Sequence, residues 1–152
     1  MSYTQLHDAL TWAADYQADL ARQYRDLASK TPSQRMQLLL EYLANHSEEA
    51  ELGLRRHLES ASPAQLATWS RSPPHVPQPT LLDELKRCLC CSSVEELTDA
   101  ALRIHRTLED FYDVLGQAAD LDEQRQLMIA LRDAEQSETR RMVRDIARFE
   151  TC

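Results

Sequence analysis

The sequence predicts an all-α protein built from four long helices, and three observations lead to that fold class. The chain has 152 residues but only two glycines, and 43% of its residues are hydrophobic. Four long stretches carry apolar residues at spacings of three and four, the period of an amphipathic helix. The joins inside the first and last helix pairs are short and the join between the pairs is long, which predicts an antiparallel bundle with one crossover.

Length and charge bound the function. A chain of 152 residues suits one domain with a substantial core, so we predict a single domain over residues 1–152. The formal net charge of −8 argues against a nucleic-acid binder, which needs a basic surface. No apolar run approaches the roughly 18 residues of a membrane span, and the first residues lack the pattern of a secretory signal. We therefore expect a cytoplasmic protein with no membrane partner.

The cysteines fit that expectation. Cysteines in a cytoplasmic protein stay reduced more often than they form disulfides. Cys88, Cys90 and Cys91 lack the C-x-x-C spacing of a metal or redox site, so helix packing is their favoured role. Cys152 is expected to be a terminal thiol.

The first helix is predicted from about Thr4 to Ser29. Its apolar stripe has one polar member, Gln17, and consists of Leu6, Leu10, Ala13, Gln17, Leu20, Tyr24 and Leu27. Trp12 is expected to pack on the flank of the bundle or against a second subunit, and we expect a homodimer.

The second helix is predicted to follow Thr31-Pro32, with Thr31 as N-cap, and to run to about Ser60. Its stripe consists of Leu39, Leu43, His46, Ala50, Gly53 and His57. A glycine inside a helix costs about 1 kcal/mol relative to alanine, so Gly53 suggests the close approach of another backbone. A crossover over about residues 61–92 is predicted to carry two short helices and a proline-rich segment.

The capping box Ser93-Val-Glu-Glu96 opens the third helix, which runs to about Ala118. Its stripe consists of Leu97, Ala101, Ile104, Leu108, Phe111 and Leu115. His105 and Glu109 lie four residues apart on the flank of this stripe, a spacing that is more often a surface pair than a binding site.

The fourth helix is predicted from near Asp120–Asp122 to about Phe149. Its stripe consists of Met128, Leu131, Met142, Ile146 and Phe149. The same face passes through Glu135 and Glu138, where the pattern calls for apolar residues. A carboxylate in an apolar interior requires a partner, which can be a metal, a cation, a proton or water. The alternative is a slightly rotated stripe, with a glutamate reaching water or an arginine.

Laid side by side, the four helices place polar residues at similar depth: Gln17, His46, His105 or Glu109, and Glu135 with Glu138. One polar layer near mid-length resembles the ferritin-like superfamily, and within it the rubrerythrin-like branch. The resemblance covers nearly the whole chain and implies a site with Glu on helices one and three and Glu-x-x-His on helices two and four.

The chain departs from that pattern on three helices. Gln17 stands in place of the first Glu, Leu43 in place of the Glu that precedes His46, and Glu138 in place of the last His. His46, Glu109 and Glu135 match. Two bridging metals therefore lack ligands unless other side chains supply them, and we expect one metal or none. The candidate metal ligands are His46, Glu49, His105, Glu109, Glu135 and Glu138.

Two functions follow as hypotheses. The first is a ferritin-like metal-binding protein with an altered Glu/His centre, holding Fe, Mn or Zn and acting on iron or peroxide. The second is a degenerate bundle that has lost its metal and acts as an interaction or regulatory module, in which His46 and Glu138 compensate each other. Acid–base catalysis on a small ligand is a weaker third hypothesis, because no nucleophile or substrate-binding motif supports it. Whether the protein is an enzyme, and on which substrate, stays open.

Overall fold

The structure, a computed structural model, describes residues 6–61 and 94–150. These residues contain no strand and form four helices: α1 (Leu6–Lys30), α2 (Gln34–Ser60), α3 (Val94–Ala118) and α4 (Asp122–Glu150). The all-α prediction is confirmed. The predicted crossover beyond residue 61, all four cysteines and the side chains of residues 149 and 150 lie outside the description.

Pairs of interacting side chains give the helix directions. Arg25 of α1 binds Glu48 of α2, and Asp15 of α1 binds Arg55 of α2, so residue numbers rise along α1 where they fall along α2. Side-chain pairs between α3 and α4 and between α2 and α4 follow the same opposite order. Thus α1 and α2 form one antiparallel hairpin, α3 and α4 form a second, and α2 runs parallel to α3.

The start of α2 differs from the prediction. Its N-cap is Ser33 rather than Thr31, because the Ser33 hydroxyl accepts a hydrogen bond from the Met36 amide at 3.3 Å. Pro32 therefore precedes the cap instead of opening the helix. Thr31 accepts a weaker bond from the Ser33 amide, at 3.4 Å. Two hydroxyl residues flank the proline, and sequence alone did not decide between them.

The core follows the predicted stripes. Apolar residues from all four helices are buried, among them Leu10, Leu20, Leu39, Leu43, Ile104, Leu108, Leu115, Met128, Met142 and Ile146. Trp12 lies on the flank and joins the hairpins, since its ring stacks on Tyr16 at 5.1 Å and lies 4.8 Å from Phe111 of α3.

The backbones approach each other closely inside each hairpin and at fewer points between the hairpins. A seam therefore separates the hairpins, and polar side chains of α4 reach across it. Within the part of the chain that the structure describes, none of the helices combines the length and the apolar character that a bilayer crossing requires.

Gly53 lies beside this seam, and its predicted role is wrong. A Cβ atom added at Gly53 would meet no atom of another described element within 4 Å, so no backbone in the described part of the chain approaches it closely. The space beside Gly53 is instead part of a cavity between α2 and α4.

Candidate functional site between α2 and α4

Glu135 is the buried centre of the polar layer. The residue is only 6% exposed, although it carries a carboxylate. Gln17 of α1 donates from Nε2 to Glu135 Oε1 at 3.1 Å, and His105 Nδ1 of α3 lies 2.7 Å from Glu135 Oε2. Both carboxylate oxygens therefore have a protein partner. This network ties three helices together at one depth in the bundle.

The Gln17 amide has its orientation fixed by this contact. A carboxylate accepts hydrogen bonds, so the amide nitrogen must face Glu135 and the amide oxygen must face away. That oxygen is buried and has no hydrogen-bond partner among the described residues. The hydroxyl groups of Tyr16 and Tyr24 are buried in the same way. Each of these groups still requires a partner.

The tyrosines near Glu135 are held neutral. Burial raises the pKa of Tyr24 well above its ordinary value, and the nearby Tyr16 and Glu135 raise it further. Burial also raises the pKa of Tyr112, with the negative charge of Glu135 as the second cause. A phenolate in this place would lie in an apolar interior beside a carboxylate, which is unfavourable on both counts.

Glu138 forms the second histidine–carboxylate pair. His46 Nδ1 of α2 lies 2.7 Å from Glu138 Oε2, which is the contact that the sequence offered as the alternative to a metal. Arg141 binds the other oxygen at 3.2 Å. The His46 contact has the distance of an ion pair but not the angles of a hydrogen bond, so the buried Glu138 Oε2 has no hydrogen-bond partner among the described residues.

The other two predicted site residues behave differently. His105 is not a surface partner of Glu109; it is buried and contacts Glu135 instead, because helix four brings a carboxylate closer than its own helix does. Glu109 is partly buried and accepts a hydrogen bond from the Thr139 hydroxyl at 3.3 Å. The predicted surface pairing of His105 with Glu109 is therefore wrong.

A cavity of about 290 Å³ lies between α2 and α4. Four of the six predicted ligands line it: His46, Glu49, Glu135 and Glu138. The other described residues on its wall are Ala50, Gly53, Leu54, His57, Tyr112, Leu131 and Ala134. The described part of the wall therefore has three carboxylates and two imidazoles but no lysine or arginine.

Sequence reasoning missed three parts of this site. Gln17 stood out as the polar member of its stripe, but its contact with Glu135 spans 118 residues. His57, the last member of the predicted stripe of the second helix, is exposed and lines the cavity. Gly53 was the residue in the sequence that could have indicated an open space, because a glycine inside a helix is unfavourable and usually has a packing or functional role.

The donors do not yet converge on one point. Among residues 6–61 and 94–150, no three His, Cys, Asp or Glu side chains come close enough together to hold one metal ion. The donors occur in pairs, His46 with Glu138 and His105 with Glu135. Comparisons with protein-family models, with curated proteins and with solved structures find no match.

Proposed function

We propose that the protein binds a single divalent transition-metal ion in the cavity between α2 and α4. The observation that carries the proposal is that His46, Glu49, Glu135 and Glu138 line this one cavity. Imidazole nitrogen and carboxylate oxygen together suit Fe²⁺, Mn²⁺ or Zn²⁺. The ferritin-like resemblance of the sequence, with its altered Glu/His layer, supports the same class of ligand.

The residues fit a metal unequally. His46 and Glu138 are the strongest candidates, because their donor atoms are already adjacent and Glu138 Oε2 has no hydrogen-bond donor. Glu49 is exposed at the rim and has freedom to turn inward. Glu135 reaches an ion only by giving up Gln17 or His105, so it is the weakest of the four. His105 and Glu109 do not line the cavity.

The test begins with protein purified without a histidine tag and freed of metal by a chelator. Addition of Fe²⁺, Mn²⁺ or Zn²⁺ is expected to raise the melting temperature, since an ion at 100 times its Kd adds about 2.7 kcal/mol of stability. His46→Ala and Glu138→Ala should abolish the rise. His7→Ala is the matched control, because His7 also lies beside a carboxylate, that of Asp8 at 3.6 Å, but on the exposed start of α1.

Absence of any metal-dependent change in stability, together with no metal by elemental analysis, would remove the proposal. The second candidate function would then stand. A metal-free interaction or regulatory module is favoured by the Glu135 network, in which the protein supplies a partner to both carboxylate oxygens without an ion. Both candidate functions include the expected homodimer and the expected cytoplasmic location. Light scattering on the purified chain tests the homodimer.

A further inference from the structure

The cavity between α2 and α4 is larger than one metal ion needs. Its volume of about 290 Å³ lies near the roughly 300 Å³ at which pockets for organic ligands begin. Gly53 leaves space on one wall, because a Cβ atom there would touch no atom of another described element within 4 Å. Ala50 and Ala134 add small side chains on the two facing helices. The space is therefore suited to a molecule with several non-hydrogen atoms.

The polar atoms on the cavity wall indicate the chemistry of that molecule. Glu138 Oε2 is an acceptor on this wall that lacks a hydrogen bond among the described residues, although His46 Nδ1 lies 2.7 Å from it. An acceptor is satisfied only by a donor or a cation. An anionic ligand would instead add charge beside three carboxylates.

The arrangement of the wall indicates its shape. Among the described residues, no three His, Cys, Asp or Glu side chains come close enough together to hold one metal ion, whereas an alkylammonium group does not need its acceptors to meet at one point. An ammonium group has three donors that can reach separate acceptors. The apolar side, formed in part by Leu54 and Leu131, can cover a hydrocarbon body.

We propose that this cavity binds a small organic amine, with its ammonium group among Glu138, Glu135 and Glu49 and its hydrocarbon body against Gly53, Leu54 and Leu131. The amine occupies the same cavity as the proposed metal ion and displaces it. Binding of the amine needs no metal, so this inference goes beyond the proposed metal function and does not depend on it.

The experiment uses the full chain in the presence of a chelator, with hexylamine as the probe. Hexanol and hexanoate have the same hydrocarbon body with a neutral and an anionic head, and they serve as matched ligands. Hexylamine is expected to raise the melting temperature and to bind by calorimetry about tenfold more tightly than hexanol, with hexanoate weakest. Equal binding of all three would overturn the proposal, because the carboxylates would then contribute nothing.

Variants at two wall positions, with a control at a third position, locate the binding. Gly53→Leu fills the apolar side and is expected to weaken hexylamine binding about tenfold, while Gly53→Ala, which adds one carbon, has a smaller effect. Glu138→Gln keeps the shape of the side chain and should weaken hexylamine but not hexanol. Arg56→Leu changes an exposed residue on the same helix and should change neither. Unchanged hexylamine affinity in both Gly53→Ala and Glu138→Gln would contradict the proposal even if Gly53→Leu fails to fold.

The same titrations separate this inference from the metal proposal. A protein that responds to hexylamine in chelator but never to a metal supports the amine site and removes the metal site. A protein that responds to metal but not to hexylamine supports the metal site and removes the amine site. When both bind, added hexylamine should lower the apparent metal affinity, and simultaneous independent binding would contradict a shared cavity.

Discussion

Two histidine–glutamate pairs each use a glutamate of α4. They have the same residue types and the same distance between the two side chains, but they differ in how deeply they are buried. In both, a histidine Nδ1 lies 2.7 Å from a glutamate Oε2. The His105 and Glu135 side chains are 10% and 8% exposed, whereas those of His46 and Glu138 are 18% and 33% exposed. The first pair lies inside a hairpin, and the second crosses the seam between hairpins.

Burial and partners give the two pairs different roles. Glu135 has Gln17 and His105 on its two oxygens, so its removal strands a buried amide and a buried imidazole. Both glutamates border the cavity, but Glu138 has one oxygen bound by Arg141 and one that lacks a hydrogen bond among the described residues. We therefore expect the buried pair to stabilise the fold, whereas the proposed ligand site depends on the partly exposed pair. Four substitutions test this comparison.

The largest effect is expected for Glu135→Ala. Removal of one partner from a buried, hydrogen-bonded pair typically destabilises a protein by about 3–5 kcal/mol, because the other partner stays buried without compensation. Urea unfolding in the presence of a chelator measures the change. The double variant His105→Leu with Glu135→Leu should recover most of the loss, since no unpaired group remains. A loss below about 1 kcal/mol in Glu135→Ala would show that this pair is no more structural than a surface pair.

A smaller loss is expected for Gln17→Glu. It places a second carboxylate at the position that now donates to Glu135 at 3.1 Å, so two like charges must share one proton or separate. We expect a loss of about 1–3 kcal/mol at neutral pH, the usual cost of an unsatisfied buried group. The loss should be smaller at pH 5, where a proton is easier to bind. Chemical unfolding at the two pH values measures it, and a loss that grows toward acid pH would contradict this account.

Glu138→Leu should change stability far less than either substitution near Glu135. The side chain is 33% exposed, and a partly exposed ion pair contributes about 0–1 kcal/mol. In metal-free protein we expect a small gain, because an apolar residue removes the unsatisfied oxygen and extends the apolar stripe. Urea unfolding of the chelated protein measures it, with Val143→Leu on the exposed face as control. A clear loss of stability would mean that the second pair is structural too.

The smallest effect is expected for Tyr42→Phe, one turn from His46. The Tyr42 hydroxyl donates to Asp145 Oδ2 at 2.9 Å and is the main reason that the pKa of Asp145 lies below its ordinary value. A carboxyl group with a lowered pKa adds stability that is present above its unfolded pKa and lost as the pH falls through the folded value. The variant should therefore lose less stability than wild type as the pH falls below about 4, the ordinary pKa of an aspartate. NMR titration of the Asp145 carboxyl should show a raised pKa, and an unchanged pKa would exclude the hydroxyl as its cause.

The helices could be predicted because their signals are local. Apolar spacing located α1 to α4 to within a few residues, and it identified Glu135 as a carboxylate on a buried stripe. The N-cap of α2 was misplaced by two residues, because threonine and serine on either side of a proline give the same signal. The position of the helix was predicted correctly, and the error lies only in the choice between Thr31 and Ser33 as its N-cap.

The partners inside the site could be predicted only in part. His46 with Glu138 followed from their similar depth on two helices. His105 was paired with Glu109 because both lie on one helix four residues apart, but the carboxylate nearest to it belongs to α4. Gly53 was interpreted as a close approach when it borders an open space. Both errors concern distances between helices, which helical periodicity does not contain.

The sequence by itself determined the helices, the apolar faces and the presence of acidic side chains among leucines, because each depends on residues within a few turns. The tertiary structure alone decided which histidine meets which glutamate, and that one pair is buried while the other is partly exposed. Side-chain partners depend on how far apart two helix axes lie and how each helix is rotated. Those quantities are set by the packing of all four helices together, and no single stretch of the chain encodes them.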